Sequence, residues 1–152
     1  LDRWVVPVQT SRLWEVWPKA QHYIEAALAY GDGCSIGQVK EWLANCDAQL
    51  LVVGDKLGES GMPVNVTGAM VTQFHPKRQG VTVNIVAFGA DKLSETLPYL
   101  ETIEYVLRAS GADFIETRAT RGRRGWIRAL RKHGYAPSDT DGDGDLILRK
   151  AL

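Results

Sequence analysis

Only two cysteines occur in the chain, Cys34 and Cys46, and neither stands in a Cys-x-x-Cys pair or at metal-ligand spacing from one of the three histidines. That pattern excludes a disulfide framework and predicts two reduced, mostly buried thiols in a cytosolic protein. No metal is expected. No apolar run approaches the ~18 residues that a membrane-spanning helix needs, so no membrane contact is expected. No segment reads as a secretory signal. A surplus of charge is lacking as well. Lys+Arg and Asp+Glu both number 18, so bulk electrostatics draws the chain neither to nucleic acid nor to an acidic surface. Linkers, repeats and low-complexity tracts are also missing. The 152 residues therefore read as a single domain, 1–152, large enough to bury roughly 68–70% of its unfolded surface without staples.

What is present alternates between two periodicities. "RWVVPV" (3–8) reads as a short strand. In "KAQHYIEAALAYG" (19–31), Ala20, Ile24, Ala27 and Leu28 share a helical face; Pro18 suits its first turn and Gly31 its end. "SIGQVKEWLANC" (35–46) is a second helix, with Ser35 and Gln38 spaced as a capping box. The pattern then changes to strands at 48–55, 64–75 and 80–89, the last two as an antiparallel pair. "SETLPYLETIEYVLRASG" (94–111) carries a stripe of Leu97, Leu100, Ile103 and Leu107. Ser94 suits its cap, Pro98 falls in or just after its first turn, and Gly111 ends it. A strand at 113–119, a short helix at 125–134, a brief strand from Tyr135 and a last strand at 145–152 follow. Trp14 and Trp17, three apart, can share a helical face, Trp42 packs the second helix on the sheet, and all three read as core residues. The order β-α-α-β-β-β-α-β-α-β-β defines one α/β domain with a mixed central sheet of about seven strands and four helices.

That order, with "GWIRALRKHGY" (125–135) as a helix closed by glycine and an aromatic, resembles the GCN5-related N-acetyltransferase (GNAT) superfamily over nearly the whole chain. With "GRRGW" in front, the stretch looks most like the GNAT-like proteins of tailed bacteriophages. The resemblance implies a GNAT-like fold and acetyl-CoA-dependent transfer of an acetyl group to an amine. The pantetheine arm would pair with strand four, Val81 to Phe88, as an added strand. The pyrophosphate would sit at the next helix N-terminus. The implied cofactor contacts are Val86, Phe88, Gly89, Ala90 and Lys92. The family pattern at this loop is Gln/Arg-x-x-Gly-x-Gly/Ala. This chain reads "FGADKLSE", with a different glycine spacing and an acid, Asp91. The tyrosine acid of many family members, four residues before the closing glycine, is here Leu130. The asparagine often found after strand five is replaced by "TRATRG".

Glu116 on strand five and His75 at the end of strand three are candidate bases; Tyr135 is a further candidate catalytic residue that also reads as packing inward, and His133 at the helix end could titrate but also reads as solvated. Phe114, Glu116 and Arg118 alternate onto one face of strand five and Ile115, Thr117 and Ala119 onto the other, so Glu116 also reads as half of a structural ion pair. Asn84 lies near the expected cleft.

Charge, balanced overall, is uneven locally. Residues 118 to 132 hold seven Arg/Lys and no acid, and residues 139 to 145 hold four Asp. Arg121, Arg123 and Arg124 lead into a helix N-terminus. They suit a CoA phosphate, a protein interface, a nucleic acid with Trp126 stacked on a base, or a solvated edge with Trp126 and Leu130 inside. Nucleic acid is the weakest of these at zero net charge. Asp139, Asp141, Asp143 and Gly144 match calcium-loop positions, but Lys150 stands where the bidentate glutamate belongs, so the run reads as a hairpin turn. The alternative to an enzyme is a non-catalytic GNAT-fold structural or assembly protein of a bacteriophage particle. Its partners would be phage structural proteins or further copies of itself, and its place the host cytoplasm or the virion.

Overall fold

The computed structural model describes residues 3–29, 34–92, 99–119, 124–140 and 146–152. In chain order these form β1 (Arg3–Pro7), a 3-10 turn (Thr10–Arg12), α1 (Leu13–Leu28), α2 (Ile36–Ala44), β2 (Gln49–Leu57), β3 (Pro63–Lys77) and β4 (Gly80–Ala90). After these come α3 (Leu100–Ala109), β5 (Phe114–Ala119), α4 (Arg124–Lys132), β6 (Ala136–Thr140) and β7 (Leu146–Ala151). The strands make one sheet in the order β1-β2-β3-β4-β5-β7-β6. Every neighbouring pair is antiparallel except β4–β5, the pair joined through α3. Helices on both faces bury the sheet's two apolar sides, as a crossover connection requires.

Two cores result. Under α1 and α2 lie Ala20, Ile24, Val39, Leu50, Val52 and Val71. Under α3 and α4 lie Leu51, Met70, Ile103, Leu107, Leu130 and Leu148. Adjacent residues of β2, Leu50 and Leu51, serve opposite cores, as the two-residue period of a strand dictates.

Three expectations are corrected. Helix α1 begins at Leu13, so Pro18 lies inside it. Its buried stripe starts earlier than the alanine-rich segment, at Leu13, Val16 and Trp17, and packing of that stripe outweighs the proline. Pro18 is exposed, so the carbonyl deprived of its N–H partner faces water. Trp14 is not core: it is 51% exposed, edge-on to Trp17 at 6.4 Å and under the Lys40 ammonium at 5.8 Å. Cys46 is exposed rather than buried, held at φ 61° just past α2. The expected features Gly31, Ser94, Leu97 and Pro98 lie outside the described residues.

The capping box is present. Ser35 Oγ accepts from the Gln38 N–H at 3.1 Å, and Gln38 Oε1 accepts from the Ser35 N–H at 3.1 Å. Ser35→Ala is expected to cost about 1 kcal/mol in a denaturant melt, with Ser35→Asn close to wild type.

Among the described residues no helix is long and apolar enough to cross a membrane. Among the described residues, likewise, no group of three or more His, Cys, Asp or Glu is arranged to hold a metal; Asp141, Asp143 and Gly144 of the acidic run lie outside them.

Candidate functional site

The sheet opens between β4 and β5. Their parallel register runs from Thr82↔Phe114 to Ile85↔Thr117 and stops there. Strand β4 continues to Ala90, and β5 turns to β7 alone through Ala119. The cause lies on the other edge of β4. Opposite β3, Val71 faces Ala87 and Thr72 faces Ile85, so Val86 is an extra residue. Such a bulge bends the strand and leaves its extra residue off the ladder. It also resets side-chain alternation: Ile85 and Phe88 both face the α3/α4 core, while Val86 and Ala87 both face α1 and α2. Beyond Ile85 no described strand pairs with the β5-facing edge of β4, which leaves backbone donors and acceptors for an extended ligand.

The walls of this opening are apolar. Phe88 on β4 and Trp126 in the first turns of α4 stack with ring centroids 5.3 Å apart and planes 7° from parallel. Both are buried, so the stack joins the two sides of the opening on the α3/α4 face. Gly89 is fixed by a different neighbour. A β-carbon there would stand 2.8 Å from the Tyr23 carbonyl carbon and closer still to its oxygen, so the glycine lets α1 lie against β4.

The Tyr23 hydroxyl bridges the end of β4 to β3. It lies 2.9 Å from Asp91 Oδ1 and 3.0 Å from the Val66 carbonyl oxygen. Burial, with the Asp91 hydrogen bond and charge added, pushes the Tyr23 pKa from 10.0 up to about 12. A raised folded-state pKa gives stability that is complete below the unfolded value and is lost as pH rises toward the folded one. Stability is therefore expected to fall between pH 10 and about 12. Tyr23→Phe should flatten that fall in urea melts across this range. Tyr135, shifted in the same direction, retains its share. Ala90 is partly exposed and Lys92 exposed, both at the mouth. Arg121 and Arg123 lie outside the described residues. Arg124 is the first residue of α4.

The three candidate catalytic residues are not brought together. Glu116 is nearest the opening: it pairs across the sheet with Asn84, one row before the last β4–β5 pair. Its carboxylate is half-buried between Lys77 Nζ and Arg149, each at 3.8 Å. His75 is exposed beside the β3–β4 hairpin, opposite Thr82, three residues from Ile85 and so about 10 Å along the strand. Tyr135 is buried, and its hydroxyl donates to Glu104 on α3 at 3.2 Å. The same glutamate takes the Lys150 ammonium at 2.9 Å. Burial, then the Glu104 charge and hydrogen bond, drive the Tyr135 pKa strongly upward.

The bulge at Val86, the Tyr23–Asp91 bridge and the Tyr135–Glu104–Lys150 cluster have no local sequence signal, since each depends on register between distant segments. Phe88 and Trp126 were visible as apolar residues but not as partners.

Solved structures share this architecture. The ribosomal-protein-S18-alanine N-acetyltransferase of Escherichia coli superposes with a TM-score of 0.67 at 12% identity, covering 99% of this chain and 94% of its own. An IAA acetyltransferase of Bacillus cereus gives 0.67 at 13% identity, with 99% and 100% covered. The PaiA N-acetyltransferase of Thermoplasma acidophilum, solved with coenzyme A, gives 0.57 at 15% identity over 100% of both chains. The fold is that of the GNAT acetyltransferases. No family model matches the chain, and no curated protein matches it in sequence.

Proposed function

We propose that the chain binds acetyl-CoA in the opening between β4 and β5 and transfers the acetyl group to an amine. The observation that carries this reading is the bulge at Val86 where the β4–β5 pairing ends. It supplies a free strand edge for the amide-rich pantetheine arm and a backbone N–H off the ladder to polarise the thioester carbonyl. The amine nitrogen attacks that carbonyl carbon, the C–N bond forms as the C–S bond breaks, and the coenzyme A thiolate leaves as the thiol by taking up the proton that the amine gives to the base. Glu116 is the proposed base for the amine proton, as the candidate closest to the opening. His75 and Tyr135 lie farther along the strands and in a separate buried cluster. Val86, Phe88, Gly89 and Ala90 would line the arm, with Lys92, Arg121, Arg123 and Arg124 toward the phosphates.

Calorimetric titration of acetyl-CoA tests this. Saturable binding of one molecule per chain is expected, weakened about tenfold, or ~1.4 kcal/mol, by Arg123→Ala with Arg124→Ala. With an amine acceptor in hand, Glu116→Gln should lower kcat by about 10²–10⁴. No heat at millimolar acetyl-CoA would sink the reading.

A second reading has its own observation. The Phe88–Trp126 stack fills the α3/α4 side of the opening, and Leu130, fully buried, stands where the resemblance places an acid. Both features favour a GNAT fold kept as a non-catalytic module. Its place in a bacteriophage particle rests on the resemblance of "GRRGWIRALRKHGY" alone. Co-purification with virion components, together with silence toward acetyl-CoA, would support it.

A further inference from the structure

A cavity of about 550 Å³ lies at the other end of the sheet. It is bounded by the end of β1, the start of α1, the end of α2, the start of β2 and Phe74 of β3. Phe74 pairs with Val83, whereas the β4–β5 opening lies beyond Ile85. The two sites are therefore separated along β4, and this cavity plays no part in the proposed acetyl transfer. Its size falls within the range of small-molecule sites, roughly 300–1,000 Å³.

The lining is two-sided in chemistry. Leu13, Leu43 and Leu50, all buried, and Phe74 give it an apolar floor. Thr10, Cys46 and Asp47 stand at the rim, where the Thr10 hydroxyl and the Cys46 thiol lie 3.7 Å apart. Among the described residues Asp47 is the only charged one in the lining. It follows Cys46, whose left-handed backbone (φ 61°) turns the chain sharply from α2 toward β2. That conformation strains a residue with a side chain. Gln9, Gln49 and Ser110 add neutral polar groups to the lining. A part-apolar lining whose one charge among the described residues is a carboxylate selects against anions and for a cation carrying a hydrocarbon tail.

We infer that this cavity is a second ligand site, and that it takes a small amphipathic amine, with its tail on Leu13, Leu43 and Phe74 and its ammonium at Asp47. Cys46 serves as a built-in reporter at the rim. The test is the rate of iodoacetamide alkylation of Cys46 in the intact chain, followed by peptide mass spectrometry. Octylamine and octanoate are the two probes, and Cys34 is the internal control. Octylamine is expected to slow Cys46 alkylation about tenfold when present at about ten times its Kd. Octanoate should leave the rate unchanged, and Cys34 should respond to neither. Asp47→Asn, an exposed position, should abolish the protection without loss of fold. Equal protection by octanoate, no protection by octylamine, or full protection retained in Asp47→Asn would each overturn the inference. Acetyl-CoA binding is read separately at the other end of the sheet, so failure here leaves the acetyl-transfer reading untouched, and the converse holds.

Discussion

Trp126→Ala is expected to lower the free energy of unfolding by about 3–5 kcal/mol, among the largest losses available to one side chain in this fold. The indole is 4% exposed and lies on Phe88 at 5.3 Å, nearly parallel. Truncation removes a large apolar surface and leaves a cavity between β4 and α4 where the indole lay on Phe88. Stacking adds about 0.5–1.5 kcal/mol beyond area burial. Trp126→Phe keeps a ring over Phe88 and should lose much less. For a chain of this length each kcal/mol shifts Tm by about 2–4 °C, so thermal melts of the two variants are easily told apart. Equal losses would show that the stack has no special weight. The pair also informs function. In the acetyl-transfer reading the smaller ring leaves more room beside β4, so Trp126→Phe should bind acetyl-CoA at least as tightly as wild type. If neither protein binds, the stack marks a fold kept for another purpose.

The elements were legible because their signals are local. Ser35 and Gln38 announced α2, and the alternation of Ile115 and Thr117 against Phe114 and Glu116 gave β5 its faces. Leu100, Ile103 and Leu107 announced α3. Trp126 and Leu130, four apart, read as the inward face of α4, and both are buried. The early start of α1 was only half legible: Trp14 and Trp17 suit one helical face, but Pro18 is a strong local stop and only the sheet beneath rewards burying Leu13 and Trp17. The site was less legible than the fold. A bulge is a relation between two strands, and nothing in "NIVAFGA" says that Val86 is the extra residue. Glu116 was expected beside an arginine. Its ion-pair partners include Lys77 and Arg149, which come from β3 and β7 and which register alone brings near. Gly89 illustrates the limit most sharply. Read along the chain, it suits the approach of a phosphate; in the fold, its α-carbon faces the Tyr23 carbonyl.

Gly89→Ala should therefore destabilise the protein by about 3 kcal/mol, the upper part of the range for overpacking, whether or not acetyl-CoA is bound. The added methyl would meet the backbone of α1, with the Tyr23 carbonyl carbon at 2.8 Å and its Cα at 3.1 Å. A side chain could turn aside, but a helix backbone cannot. Tyr23 is held further by its contacts with Asp91 and the Val66 carbonyl, so relief requires shifting α1 off the sheet. Gly125→Ala is the matched control. It adds the same methyl group in α4, where nothing lies within 4 Å and the residue is exposed. Alanine there should be neutral or stabilising by up to about 1 kcal/mol, through the lower chain entropy of the unfolded state. A large loss for Gly89→Ala and none for Gly125→Ala in parallel urea melts is the expected result. A Gly89→Ala protein as stable as wild type, yet weakened toward acetyl-CoA, would reverse the assignment. The glycine would then be kept for a ligand's approach rather than for the contact between α1 and β4.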